Sequence, residues 1–373
     1  MTEVPVIMKN APKYEGRLEC TFTGCDVSLV NGIRRTILSD IPVYGFNVFP
    51  YAENDVHIEV NTSRQNNEVL KHRMSCIPVH LTDFTLPFRE ALFEINVTNN
   101  TKDIQYVTTN DITVRQVPPE DADEMGPMNK ELLKKMDPKL LFPVDPITKD
   151  PIIICRLRPS ITKDLSGDSL KLFAKISIHV AKENACYNVI STCSFGNTMN
   201  LSAANIAWEQ NVVERKYERP EEEEKERQNW LLLEGKRYFK ERSFDFIVES
   251  IGIYENEVLL QLACKIMVEK LLLMRDLSNI TIKESNTTIP NCKDMLLSVD
   301  YSVGKILEHF IYQKYYEESK QLQYVSFFKE HPHNLDSILR IAFKPGTDVT
   351  LEVIFPTVCD MIIDYLKKVS NLF

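Results

Sequence analysis

The sequence predicts an α+β fold spread over more than one compact unit, and three observations predict it. A chain of 373 residues with 43% hydrophobic content exceeds what one core organises, because single cores stop growing near about 250–300 residues. Both ends of the chain mix strand-like alternation with helical periodicity. The stretch from 84 to 195 reads as strands, with a long proline-rich interruption.

Gly16-Arg17-Leu18-Glu19-Cys20-Thr21-Phe22 alternates as a strand does, and Asp26 is placed to cap a helix carrying Val30, Ile33, Ile37 and Ile41, which Pro42 ends. Val56–Val60 is β-rich, and Glu68–Met74 forms a short amphipathic helical piece running into Pro78. Strands are expected at 92–98, 104–117, 152–158 and 170–181. Prolines cluster between Pro118 and Pro159 around Glu120-Asp121-Ala122-Asp123-Glu124, so 118–150 reads as a surface insertion. From Arg215 to Arg227 six acidic residues face five basic ones, as on a solvated, salt-bridged helix, with Pro220 marking a break or a helix start. Phe244–Val248 is a strand, and 255–277 is a helix with Leu259, Leu262, Ile266, Met267 and Leu273 on one broad face. A strand near 295–299, a helix capped by Asp300, strands near 323–330 and 337–343 and a terminal helix complete the chain; Pro356 is expected to begin or kink that helix.

A net charge of -9 disfavours direct gripping of phosphate backbones, which needs clustered Lys and Arg, so a direct DNA-binding module is a weaker alternative. The first residues carry charges and prolines where a secretory leader has an apolar run, and no apolar stretch of spanning length occurs further on; a soluble, unsecreted protein with no membrane partner is expected. The 9 cysteines are scattered without a C-x-x-C pair and read as free thiols. Glu68 and His72 share a helix face and could imitate an acid–base pair, but no nucleophile or metal site accompanies them. His331-Pro332-His333 reads as a turn closing a strand, and Asp121-Ala122-Asp123 as a solvated acidic loop. No D-x-D-x-D occurs, so no catalytic residues, metal or cofactor are expected.

Two helix starts echo each other, Asp26-Val27-Ser28-Leu29 and Asp300-Tyr301-Ser302-Val303, and each comes after a strand. Ser28 to Pro42 (SLVNGIRRTILSDIP) resembles the N-x-[IL]-R-R-x-[IL]-L-x-[DE]-[IV]-P signature of the larger alpha-like subunit of DNA-directed RNA polymerase. Asn61-Thr62-Ser63 and Glu68 to Pro78 (EVLKHRMSCIP) continue the likeness, as do Ile154–Arg158, Ala181–Ala185 and Phe246–Gly252. Asp300–Leu307 and Tyr324–Pro332 resemble the smaller alpha-like subunit. Met74, Ser75 and Cys76, with Tyr301 and Lys305, depart from the usual residues, and Cys155, Cys186 and Cys193 cannot supply the four thiolates of the cluster some relatives carry.

The resemblance implies two alpha-like dimerisation modules forming an internal pseudo-dimer. Residues 14–83 plus 243–277 form the larger module, 84–195 an inserted β-rich domain, 196–242 a charged helical connector and 278–373 the smaller module. It implies a non-catalytic scaffold that anchors the two large catalytic subunits and small polymerase subunits, meets nucleic acid only through the complex and forms no homo-oligomer. The fused form is similar to that of large nucleocytoplasmic DNA viruses, implying virion and host cytoplasm, or nucleus or cytoplasm for a cellular source. The implied interface residues are Arg34, Arg35, Glu68, His72, Arg73, Leu259, Leu262, Ile266, Val303, Ile306, His331 and Pro332. Asn31 has two readings, local hydrogen bonding and interface contact. The rival reading is a stand-alone enzyme using Glu68 and His72.

Overall fold

The computed structural model describes residues 5–10, 14, 16–85, 91–116, 137–160, 166–215, 219–347 and 349–373. Asp121-Ala122-Asp123 and the first part of the 118–150 insertion lie outside the described residues. The chain divides into two compact units, one from Met1–Ile41, Ile190–Ser250 and Glu255–Phe373, the other from Pro42–Val189 and Ile251–Tyr254.

The first unit opens with β1 (Val6–Asn10) and β2 (Arg17–Thr23), then α1 (Val27–Ser39). Asp26 caps α1 by accepting the Ser28 N–H at 2.8 Å, and its apolar positions Leu29, Val30, Ile33 and Ile37 are all buried. The chain then leaves at Pro42.

The second unit contains β3 (Pro42–Gly45), β4 (Val56–Asn61), α2 (Asn67–Ser75), β5 (Ala91–Thr98), β6 (Gln105–Thr108) and β7 (Thr113–Gln116). A single turn, α3 (Pro138–Leu141), leads to β8 (Ile153–Leu157), β9 (Ser169–Ala174) and β10 (Ser177–Val180). β4-β9-β5-β7 form one antiparallel sheet, with β6-β8 and β10-β3 as two-stranded pairs. The unit therefore begins at 42 and not at 84, because β3 and β4 take their ladder partners from β10 and β9. The expected strands 104–117 and 170–181 are each broken in two, the first by a 3₁₀ turn at Thr109–Asp111 whose Thr108 and Asp111 cap each other. In the described part of the expected surface insertion residues 143–150 are exposed, but Leu141 and Phe142 just before them are buried, and Phe142 lies with Phe46 and Phe93 at ring distances of 6.2 and 6.1 Å. Two large apolar side chains gain too much from burial to stay in a solvated loop, about 1.5–3 kcal/mol each.

Back in the first unit, β11 (Ile190–Met199) is succeeded by α4 (Leu201–Arg215), α5 (Pro220–Leu232) and β12 (Phe239–Ser250). The sheet order is β1-β2-β12-β11, antiparallel throughout. The charged connector is two helices with Pro220 opening the second; α5 buries no residue, and Trp230 packs near Trp208 at 5.7 Å. Then come α6 (Asn256–Arg275), β13 (Thr281–Glu284), β14 (Cys292–Leu297), α7 (Tyr301–Ile311) continuing as a π-helical segment to Glu318, β15 (Leu322–Phe328), β16 (Ser337–Phe343) and α8 (Leu351–Ser370). The second sheet runs β13-β14-β16-β15. Of the two readings of Pro356, the helix start is not what forms: it lies inside α8, where its ring removes one backbone donor. Leu273 is 79% exposed; α6 instead buries the stripe Leu259, Leu260, Ala263, Cys264, Met267, Val268 and Leu271, because it meets both its own sheet and other helices.

Candidate subunit interface

In the first unit α1 and α6 pack on the first sheet and α7 on the second, and the helices pack on one another: α1 on α7, α6 on α8, α7 on α8, and α1 on α6. Gly32 sets the closeness of the α1–α7 approach. A Cβ there would lie 2.7 Å from the Ser302 carbonyl oxygen, 2.9 Å from Ile306 Cδ1 and 3.2 Å from Met267 Cε. Ile306 is buried at this contact; Val303 on α7 and Leu259 on α6 are also buried, while Leu262 and Ile266 are half-buried. Lys270 of α6 adds an ion pair of 2.9 Å to Asp40, just after α1.

The polar contacts at the two helix starts are reciprocal. Asp300 accepts the Ser302 N–H at 3.1 Å and so caps α7 as Asp26 caps α1. Arg35 of α1 reaches Asp300 at 3.4 Å, and His309 of α7 stands 3.7 Å from Asp26. Each basic residue is nine positions after its own helix's cap, 26 to 35 and 300 to 309. Burial raises the Asp300 pKa, but hydrogen bonds from the Ser302 side chain and backbone, with Lys270 and Arg35 nearby, outweigh it and hold the carboxyl below its ordinary value. Arg35 Nε is buried without a hydrogen-bond partner among the described residues.

The remaining sequence-predicted residues are spread over both units. Asn31 Oδ1 accepts from Arg34 at 3.2 Å (Nε) and 3.0 Å (Nη2), so Asn31 does bond locally. Glu68, His72 and Arg73 are exposed on α2 of the second unit, where Arg73 donates to the Ile153 carbonyl at 2.6 Å and His72 contacts the Cys76 thiol at 4.0 Å. His331 and Pro332 are exposed in the turn after β15, and the His331 carbonyl accepts from Asn334 at 3.0 Å. Among the described residues no three His, Cys, Asp or Glu converge as metal ligands, and no helix is long and apolar enough to cross a membrane. Sequence reading missed Gly32, Lys270 and the His309–Asp26 contact. A glycine inside an otherwise apolar helical stripe was the one local signal, since it marks close backbone approach.

Two sheets whose helices pack across each other, with glycine at the crossing and mutual cap contacts, define a helix-mediated pairing architecture. The chain belongs to the RNA polymerase Rpb3/Rpb11 dimerisation domain family, which matches residues 19–271. It is similar to DNA-directed RNA polymerase II subunit RPB3 of Schizosaccharomyces pombe, 27% identical over 287 residues that cover 74% of this chain and 88% of that protein. It is also 24% identical over 186 residues to the Dictyostelium discoideum RNA polymerases I and III subunit rpac1, covering 46% of each chain. A conjugation stage-specific protein of Tetrahymena thermophila is 28% identical over 115 residues, 27% of this chain and 35% of that one.

Proposed function

We propose that this chain is a non-catalytic assembly subunit of a DNA-directed RNA polymerase, in which two alpha-like halves, 14–277 and 278–373, pair within one chain and anchor the two large catalytic subunits. The observation that carries the pairing is the reciprocity at the helix starts: Arg35 meets Asp300 while His309 meets Asp26. In a two-fold interface, residue i meets j and j meets i, and this is what an isologous dimer becomes when its halves are joined. Gly32 and Ile306, each six positions after its cap, meet near the centre of that arrangement, as positions on such an axis do. Joining the halves makes their encounter intramolecular, at about millimolar effective concentration.

The family match ends at residue 271, and the chain beyond it supplies a second four-stranded sheet with its own two helices. That supports the smaller alpha-like module on the same chain, the fused arrangement of large nucleocytoplasmic DNA viruses. Arg34 and Arg35 are the residues proposed to face the large subunits. Arg35 is already engaged by Asp300, so Arg34→Glu is the cleaner probe of docking, and the Arg34→Glu, Arg35→Glu double change the stronger one. Affinity purification from the native source is expected to recover both large polymerase subunits at equal stoichiometry, with Arg34→Glu lowering the yield of the assembled complex. Recovery of the intact chain without them, in a preparation where the polymerase itself survives, would reject the reading.

A further inference from the structure

The second unit carries an open cleft of about 540 Å³ bordered by Arg64, Arg73, Arg156 and Arg158, with Ile104 and Ile153 in its lining. Asp168 is committed chiefly to one of the four charges: it binds Arg158 through two hydrogen bonds, 2.8 Å from Nε and 3.1 Å from Nη2. Arg73 and Arg156 form no ion pair with a carboxylate among the described residues, and Arg64 feels Asp168 only from beyond ion-pair distance. Arg73 is fixed by a neutral acceptor, the Ile153 carbonyl at 2.6 Å, and Arg156 lies over the Tyr106 ring at 5.4 Å. Both contacts orient a guanidinium while leaving its charge uncompensated. Like charges gathered this way raise the energy of the free chain, and an arriving anion relieves it.

The surroundings of those charges favour a protein over a nucleic acid. Ile104, Tyr106 and Ile153 are 56%, 48% and 40% exposed beside the arginines, and arginine interleaved with aromatic and aliphatic surface is the composition of protein interface centres. The chain as a whole is at -9, so a long polyanion meets net repulsion, whereas a short segment senses only charges within a Debye length of about 8 Å. We propose that this cleft docks a short acidic segment of a protein partner, its carboxylates paired with Arg64, Arg73 and Arg156 and one aliphatic side chain set against Ile104 and Ile153. The proposal does not depend on the polymerase reading.

The test is fluorescence anisotropy on the full chain with a labelled Asp-Glu-Leu-Asp-Glu peptide, an Asn-Gln-Leu-Asn-Gln control and a uridine pentanucleotide. Saturable binding of the acidic peptide is expected, with at least about tenfold loss in the Arg73→Gln, Arg156→Gln double variant and a comparable loss as salt rises from about 50 to about 500 mM. Arg156→Gln alone, which leaves the Arg73 contact to Ile153 intact, is expected to weaken binding several-fold with an unchanged melting curve, and Arg219→Gln, in the first unit, to change nothing. Absence of saturable binding at millimolar peptide, equal binding by the double variant or by the neutral peptide, or tighter binding of the oligonucleotide would each overturn the proposal.

Discussion

Gly32 and Gly304 show how much can rest on a missing methyl group. At Gly304 an added Cβ would stand 2.1 Å from the Phe327 ring, and at Gly32 2.7 Å from a backbone carbonyl, whereas at Gly196 it would meet nothing within 4 Å. Overpacking of this kind costs about 1–3 kcal/mol. Gly32→Ala and Gly304→Ala are therefore expected to lower the denaturant midpoint measurably, while Gly196→Ala stays within about 0.5 kcal/mol of the parent; a neutral Gly32→Ala would contradict the close α1–α7 approach.

Asp294 is a second residue with a measurable signature. It is 3% exposed and holds Arg340 through bonds of 2.7 and 2.8 Å. The Arg340 hydrogen bonds, with the charges of Arg340 and Lys283, hold the Asp294 carboxyl below its ordinary value of 3.8 against the opposing effect of burial. A depressed folded-state pKa contributes stability that is present above the unfolded value and lost as pH falls through the folded one. Unfolding midpoints tracked downward from pH 4 should fall less steeply for Asp294→Asn than for the parent. That variant also strands the arginine and is expected to cost about 3–5 kcal/mol at neutral pH.

At the scale of elements, the two capping aspartates were legible because capping is local: Asp26 and Asp300 each accept the N–H two residues on. Asp26→Ala and Asp300→Ala are expected to destabilise by about 1 kcal/mol each. Arg35 is 40% exposed where it meets Asp300, so a double-mutant cycle on that pair should give less than about 1 kcal/mol of coupling; a larger value would mean the buried Nε has a stronger role than its geometry suggests. Helix faces were read less well. The α6 stripe was placed through Leu273, but the real one turns toward Leu260, Ala263 and Cys264, because a helix packed between a sheet and other helices has no single apolar side. The breaks at Thr109–Asp111 and between β9 and β10 were lost for a related reason: strand periodicity does not record where the ladder partner changes.

For the whole molecule, solvent access predicts the thiol chemistry. Burial pushes the thiols of Cys20, Cys25, Cys193, Cys264 and Cys359 up to about 12, and Cys155 to about 11, while Cys76 is exposed. Titration of the native chain with a thiol reagent near pH 8 should show a fast phase that Cys76→Ser removes; a fast phase surviving in the Cys76→Ser, Cys186→Ser double variant, which also removes the half-buried thiol, would mean the buried thiols open readily. A chain divided between Leu277 and Thr281 and expressed as two pieces should yield a one-to-one complex, held by α1 on α7 and α6 on α8. Pieces that separate on a sizing column would argue against the proposed pairing of halves.

By itself the sequence determined the α+β class, the two capped helix starts, most strands and the family signatures, since each is written in residues a few positions apart. Only the tertiary structure decided that residues 42–83 belong with the β-rich unit, that Leu141 and Phe142 enter its core, and that Arg35 meets Asp300 while Arg64, Arg73 and Arg156 gather on one cleft. Ladder pairing and side-chain convergence join positions tens to hundreds of residues apart, and no local periodicity carries that information.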